Sequence, residues 1–441
     1  MSFQPDPAAV YALERQAADA LRRGQDREAL ALWTRLLALQ PEHSTALTQV
    51  GQAAFKQGDF NTAHQVFTRA AAVDGSMARP WVNVALACQQ LKDEAGEEAA
   101  IFKALSADPY DLLALVLRGA LCERQGKTAQ AASAYGAVAA VAPPMDRLAP
   151  DLRGAVSYAM NFQEAHQQKL AAFIDQYLDP HLAGYSGAHL DRFKLSVDIL
   201  LGRKRRHDPQ PMRYYMPQLP VTEFFERQHF PWLEELESHT AAIREECRAV
   251  LAGDDAQLQP YITYGADQPI AQWAELNHSP RWSVYHLVKD GLKVEEHAVR
   301  CPQTMAAWAR TPSPDQPGRT PVAMYSLLKP HTRIPAHVGA SNCRLVVHLP
   351  LVVPESCRFR VGNSTRVWEE GRAWVFDDTI EHEAWNDSDQ LRAVMIFDTW
   401  HPLLNEDERR MITALNAALN AFGGATATAT ATATASNDYD V

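Results

Sequence analysis

The run Arg344-Leu-Val-Val-His-Leu-Pro-Leu-Val-Val353 decides the fold of the second half of this 441-residue chain. Its β-branched and leucine side chains favour an extended strand, and a strand's period of two sorts them into two sets. Arg344, Val346 and His348 fall on one face, and Leu345, Val347 and Leu349 on the other. One face therefore carries polar chemistry while the other reads as core. A second strand, Leu391-Arg-Ala-Val-Met-Ile-Phe397, is apolar on both faces except for Arg392, as in a strand covered on both sides. A buried guanidinium left unpaired costs roughly 3–5 kcal/mol, so an internal Asp or Glu, or a bound dicarboxylate, must meet it. The planar fork of arginine suits a carboxylate.

Two histidines flank these strands. His337 and His382 stand well apart in the sequence. Iron(II) that activates oxygen is usually held by two neutral imidazoles and one carboxylate, leaving the opposite positions for a chelating cosubstrate and O2. The usual carboxylate sits two residues after the first histidine, where a strand returns its side chain to the metal side; here that residue is Gly339. Either water takes the third place, or these histidines are not ligands. With 16 histidines in the chain, the pair means little alone. Asp377, Asp378, Glu381 and Glu383 crowd His382 and offer a third ligand, though turn and surface roles suit them better. His331 is expected to be solvated.

Between residues 210 and 405 the wording is dense. Ser326-Leu-Leu-Lys-Pro330, His337-Val-Gly, Asn342-Cys-Arg-Leu345, His348-Leu, Trp368-Glu-Glu-Gly371, Phe376-Asp-Asp378, Glu381-His-Glu383, Trp385 and Trp400-His-Pro402 follow in order. In these motifs the protein resembles the aspartyl/asparaginyl beta-hydroxylases. The resemblance implies a double-stranded β-helix (a jelly-roll, cupin-like barrel) that binds Fe(II), 2-oxoglutarate and O2, with two histidine ligands and a glycine where the acid would be. It implies that His337 and His382 hold the metal, that Arg392 with Ser326 holds the distal carboxylate of 2-oxoglutarate, and that His348 touches its other end. The implied reaction is hydroxylation of an unactivated C–H bond coupled to decarboxylation of 2-oxoglutarate. Relatives acting on acidic side chains carry a second arginine two residues after the position of Arg344; here it is Val346. Arg344 remains a candidate for the substrate, or a structural residue.

The first third is a different object. Pro41, Gly75, Pro109 and Pro143 recur at a constant interval, one that equals the repeat length of tetratricopeptide helical hairpins. In that frame Ala29, Ala63 and Ala131 share one position, and Trp33, Phe67, Ile101 and Tyr135 share another, four positions further on. Gly51 and Gly119 mark close helix approach, while Glu97 replaces the alanine of the third unit. Four such repeats, over 8–143, form an α-helical solenoid in which each unit needs its neighbours to cover its apolar face. Such arrays present a surface to a peptide or protein, and they also dimerise or brace a neighbouring domain.

The fold class is thus multidomain α and β: repeats at 8–143, a helical linker at 144–210, the oxygenase-like barrel at 211–405 and a C-terminal helix at 406–422. The Ala/Thr tail at 423–441 cannot bury enough apolar surface to offset its ordering entropy and is expected to be disordered. Arg203-Lys-Arg-Arg206 invites a nucleic-acid reading, but a net charge of −11 repels phosphate, so a solvated charge run is expected and nucleic acid is not. The start of the sequence lacks the basic-then-apolar pattern of a signal peptide, and no apolar run reaches the roughly 18 residues of a membrane span. Six cysteines without metal spacing fit a reduced, cytoplasmic protein. The expected function is hydroxylation of an Asp, Asn or similar side chain in a peptide or protein recruited through the repeats. Alternatives are a small-molecule or lipid head-group hydroxylase that uses the repeats for assembly, and a catalytically silent repeat adaptor; the sequence leaves the oligomeric state open.

Overall fold

The computed structural model describes residues 6–185, 190–253 and 257–427. The protein divides into two compact units, residues 1–192 and 193–441.

The first unit is a row of helical hairpins. They are α1 (Pro7–Arg22) with α2 (Asp26–Leu39), α3 (Ser44–Lys56) with α4 (Phe60–Val73), α5 (Ala78–Leu91) with α6 (Glu94–Ala107), and α7 (Leu112–Arg124) with α8 (Thr128–Val141). The second helices begin at Asp26, Phe60, Glu94 and Thr128, so the interval read from the prolines is also the interval of the hairpins. The expected small-against-large packing is present: a Cβ built on Gly51 would overlap the Phe67 ring, and one on Gly119 the Tyr135 ring. Glu97 is buried in the alanine position and is met by Arg124 at 2.6 Å and Gln89 at 3.3 Å.

Each hairpin turns through a left-handed residue: Gly24, Gly58 and Gly126 in three of them, and Lys92, with φ 58°, in the third. A non-glycine side chain in that region costs roughly 1–2 kcal/mol. Lys92→Gly is therefore expected to stabilise the first unit by about 1 kcal/mol, less the backbone entropy of the glycine. Thermal denaturation of the two proteins measures it; an unchanged or lower melting temperature would contradict the assignment of strain to Lys92.

The expected linker at 144–210 is mostly helical. The helix α9 (Pro150–Leu182) packs onto α8, where Val156 and Ala159 join Tyr135 and Val138 in one buried cluster, and Phe162 meets the Tyr135 ring edge-on at 5.1 Å. The segment is thus helical, as expected, and its first turns also cover the end of the array. A short helix, α10 (Asp191–Leu200), crosses the junction, and residues after it belong to the second unit.

In the second unit, α11 (Leu233–Ser238), α12 (Thr240–Ala252), α13 (Glu295–Ala298) and α14 (Pro302–Trp308) accompany two antiparallel sheets. The strands are β1 (Gln259–Pro260), β2 (Trp282–Lys289), β3 (Leu292–Lys293), β4 (Ala323–Leu328), β5 (Thr332–His337), β6 (Arg344–Val352), β7 (Cys357–Val361), β8 (Ser364–Val367), β9 (Trp374–Phe376), β10 (His382–Asn386) and β11 (Arg392–Trp400). The larger sheet runs β1-β2-β4-β11-β6-β9, with β3 beside β2; the smaller runs β5-β10-β7-β8. From β4 onward the backbone passes back and forth between the two sheets. The architecture is a helical array followed by an antiparallel β domain.

The period-two reading of β6 holds. Leu345, Val347, Leu349 and Leu351 bury against Ile243, Cys247 and Val250 of α12, in a core that also takes Ala393, Met395 and Phe397 from β11. Val346 turns the other way, into a second core with Phe359 and Val361 of β7 and Ala384 of β10. Arg392 shares parity with Val394 of that second core, which brings it to the space between the sheets. The last helix, α15 (Glu406–Ala427), runs on through Gly423-Gly424 past its expected end at 422; glycine lowers helix stability by about 1 kcal/mol without forbidding it. The remainder of the expected disordered tail, 428–441, lies outside the described residues. Among the described residues no helix is long and apolar enough to cross a membrane. All six cysteines are buried and free.

Candidate active site

His337 ends β5, His382 opens β10, and antiparallel pairing sets them opposite one another. Their ring centroids are 4.0 Å apart with planes inclined by 57°. Each Nδ1 faces the backbone carbonyl two residues earlier, Pro335 O at 2.6 Å and Ile380 O at 3.0 Å. A ring nitrogen facing a carbonyl must donate, so the proton sits on Nδ1 and the lone pair of Nε2 stays available. Burial drives His337 well below the ordinary imidazole range, reinforced by His382, and burial brings His382 down to about 4. Both rings are neutral at neutral pH, the state in which imidazole binds a cation. Trp273 and Trp282 pack beside His337, and Phe359 and Phe376 beside His382.

Arg392 opens β11 and is 2% exposed. Its guanidinium reaches the Ser326 carbonyl at 3.3 Å and Oγ at 3.4 Å, lies 5.1 Å from the Trp368 ring centre, and leaves Nε without a partner among the described residues. No carboxylate among those residues pairs with it, and burial lowers its pKa to about 10. Ser326 is fixed from the other side by Trp282 Nε1, which donates to its Oγ at 3.2 Å. His348 is buried with Nδ1 unpartnered, among Phe359, Trp368 and Phe376. Burial pushes it well below the imidazole range, and Arg392 pushes it further. His337, His382, His348, Ser326, Arg392 and Arg344 all line one pocket of about 650 Å³ of empty space, open to solvent.

Arg344 is committed within the protein. It is 3% exposed and pairs with Asp378 at 3.1 Å and Asp398 at 3.0 Å. This is the structural alternative for Arg344, since two carboxylates already meet its charge. Asp377 and Asp378 sit at a turn, as expected, but not on the surface, being 3% and 5% exposed. Burial raises Asp377 to about 7 against the two hydrogen bonds it accepts from Thr379, and raises Asp378 in spite of Arg344. Asp378 also explains Gly339: a Cβ there would overlap its carboxylate, and the Gly339 amide donates to the Asp378 carbonyl at 2.6 Å. Gly339→Ala should destabilise the protein by about 1–3 kcal/mol through that overlap, and a denaturation midpoint equal to wild type would show that the carboxylate moves aside freely. Glu381 and Glu383 instead form ion pairs with Arg205, Arg360 and Arg333. His331 is exposed and bonds Asp389, as a solvated residue does. Among the described residues no third His, Cys, Asp or Glu completes a metal cluster with the two imidazoles.

Sequence reasoning alone misses Asp398. It is the other charged residue of strand β11, and the argument that singles out Arg392 applies to it equally. The basic run is exposed, as expected, and within it Arg205 also pairs with Glu381.

Residues 237–402 match the family described as aspartyl/asparaginyl beta-hydroxylase. Through this segment the chain is similar to that family. Similar curated proteins include the mouse aspartyl/asparaginyl beta-hydroxylase, 40% identical over 135 residues, which are 30% of this chain and 18% of the mouse protein. The ornithine lipid ester-linked acyl 2-hydroxylase of Rhizobium tropici is 37% identical over 177 residues, 40% of this chain and 59% of that one. Human aspartate beta-hydroxylase domain-containing protein 2 is 27% identical over 209 residues, 46% and 54% of the two proteins. The matched segments thus span between a fifth and three fifths of these relatives. Among solved structures, MamA aligns with TM-score 0.32 and 14% identity, covering 41% of this chain and 97% of MamA.

Proposed function

We propose that the second unit is an iron(II)- and 2-oxoglutarate-dependent dioxygenase that hydroxylates an aliphatic C–H bond in the side group of Asp, Asn or a similar residue of a peptide or protein. One observation carries this reading: two neutral imidazoles at 4.0 Å share a pocket with a buried guanidinium that meets no carboxylate among the described residues. The donor set fits the group. His337 and His382 would hold the metal, Arg392 with Ser326 would hold the distal carboxylate of the keto-diacid, and His348, with its unpartnered Nδ1, would meet its other end. When bound, iron(II) with 2-oxoglutarate and O2 supplies an oxidant strong enough for an unactivated C–H bond, releasing succinate and CO2. The protein's own residues aim and protect that chemistry. The backbone bonds of the two Nδ1 atoms fix ring orientation, the surrounding aromatic rings line the imidazoles with apolar surface, and the Asp378 carboxylate, with Oδ1 unpartnered, can accept a hydrogen bond from water or from a substrate N–H. The helical repeats would recruit the peptide, and six free thiols fit the cytoplasm.

A second reading, a small-molecule or lipid hydroxylase with the repeats used for assembly, is favoured by one feature. Arg344 is spent on two aspartates and Val346 is apolar, so among the described residues the pocket offers an acidic substrate no unmet cation besides Arg392. The intact His337, His382 and Arg392 stand against a silent adaptor.

The full-length protein, loaded with iron(II) and 2-oxoglutarate, should form succinate and add one oxygen atom to a component of either a proteome-derived peptide mixture or a lipid extract, as read by mass spectrometry. Modified peptides would uphold the first reading, modified lipid or metabolite the second. No succinate from any mixture, with iron bound, would remove both.

A further inference from the structure

Residues 205–216 lie before the family-matched segment, across the end of the expected linker and the start of the expected barrel. In the structure they form a strap across the two loops that follow His337 and precede His382. The Gln210 amide donates to Thr379 O at 2.7 Å, the Met212 amide to Gly339 O at 3.1 Å, and the Arg213 and Tyr214 amides to Ala340 O at 3.0 and 3.2 Å. Tyr214 also makes an isolated parallel bridge with Ser341. Asn342, 2% exposed, clamps Met216 twice: its Oδ1 accepts from the Met216 amide at 2.7 Å and its Nδ2 donates to the Met216 carbonyl at 2.9 Å. At the strap's start, Arg205 pairs with Glu381 while its carbonyl accepts from Asn363 Nδ2 at 2.8 Å.

Sheet pairing of β5 with β10 stops at His337 and His382 themselves, and its register shifts between His382 and Ala384. Beyond that point the loops carry backbone carbonyls that the ladder no longer serves. Such groups need partners, and the strap amides supply them at Gly339, Ala340 and Thr379. His382 hangs from a carbonyl in one of these loops, at Ile380, and His337, bonded to Pro335 O within β5, is the last strand residue before the other. A loop free to shift would spread the two Nε2 atoms, and among the described residues no third ligand joins the two imidazoles to hold the site.

We propose that the strap, with Asn342 as its anchor, positions the two histidines, so that the candidate metal site includes backbone lying before the family-matched segment. This rests on the metal reading above for its consequence, and the experiment separates the two. Hydrogen exchange of the full-length protein is followed with and without iron(II), anaerobically and without 2-oxoglutarate. Coupling is reciprocal, so metal should slow the amides of Gln210, Met212, Arg213 and Tyr214 together with the loops at 338–342 and 378–382. Asn342→Ala should weaken iron(II) binding by about tenfold, the size seen when a partner behind a metal ligand is removed, with Asn342→Asp, which keeps the acceptor, in between.

Slowed loops with indifferent strap amides would overturn the strap while leaving the metal reading intact. A lower melting temperature with unchanged iron(II) affinity in Asn342→Ala would assign Asn342 to folding alone and overturn its positioning role. If Asn342→Ala does not fold, exchange in the wild-type protein decides. A wild-type protein that binds no iron(II) would remove the reading and the strap's role together.

Discussion

Arg392→Met should make the ligand-free protein as stable as wild type or more so, while removing its response to 2-oxoglutarate. The two halves of this expectation have opposite signs and one cause. Arg392 is 2% exposed, its Nε has no partner among the described residues, and the hydrogen bonds it does make are two long ones to Ser326. Replacing a buried charge by an apolar side chain of similar volume is commonly neutral or stabilising by about 1–4 kcal/mol. Removing one member of a desolvated, charge-assisted pair costs about 2–5 kcal/mol in binding, which at about 1.4 kcal/mol per decade is a loss of roughly 30- to 4000-fold in affinity for the diacid. Chemical denaturation without ligand and calorimetric titration with 2-oxoglutarate read the two quantities separately. A large loss of stability with unchanged ligand affinity would mean that Arg392 is a structural residue.

His382→Ala is the second large effect. The site offers two imidazoles and, among the described residues, no third protein ligand, so losing one ring leaves a single donor. Removing a partner behind a ligand already costs roughly 10- to 100-fold in metal affinity, so deletion of the ligand itself should exceed about 100-fold, and succinate formation from 2-oxoglutarate should vanish with it. Folding should survive. His382 carries a desolvation burden, shown by a pKa brought down to about 4, and what the ring gives back is the Nδ1 hydrogen bond to the Ile380 carbonyl. Turnover equal to wild type in this variant would remove the metal assignment.

Much of this is legible in the sequence because short-range periodicity carries it. Period two in 344–353 separates the core face of β6 from the pocket face, and a lone charge in 391–397 identifies Arg392. The constant spacing of Pro41, Gly75, Pro109 and Pro143 sets the hairpins, and the left-handed turn residues at 24, 58, 92 and 126 mark the same frame as clearly. What escapes depends on contacts between distant segments. Gly339 reads as a missing acid, but its cause is the carboxylate of Asp378, far along the sequence, which occupies the space a Cβ would need. Arg344 reads as a possible substrate partner until folding brings Asp378 and Asp398 to it. The end of α15 is hard to place from sequence because two glycines suggest a stop, whereas the backbone stays helical to Ala427.

Crystals of the full-length protein grown anaerobically with manganese(II), which stands in for iron(II), and 2-oxoglutarate test the central claim most directly. The account predicts a single metal peak bonded to Nε2 of both His337 and His382 at about 2.0–2.2 Å, with the far carboxylate of the diacid against Arg392 and Ser326. A metal bound elsewhere, or a diacid that leaves Arg392 unpaired, would contradict it.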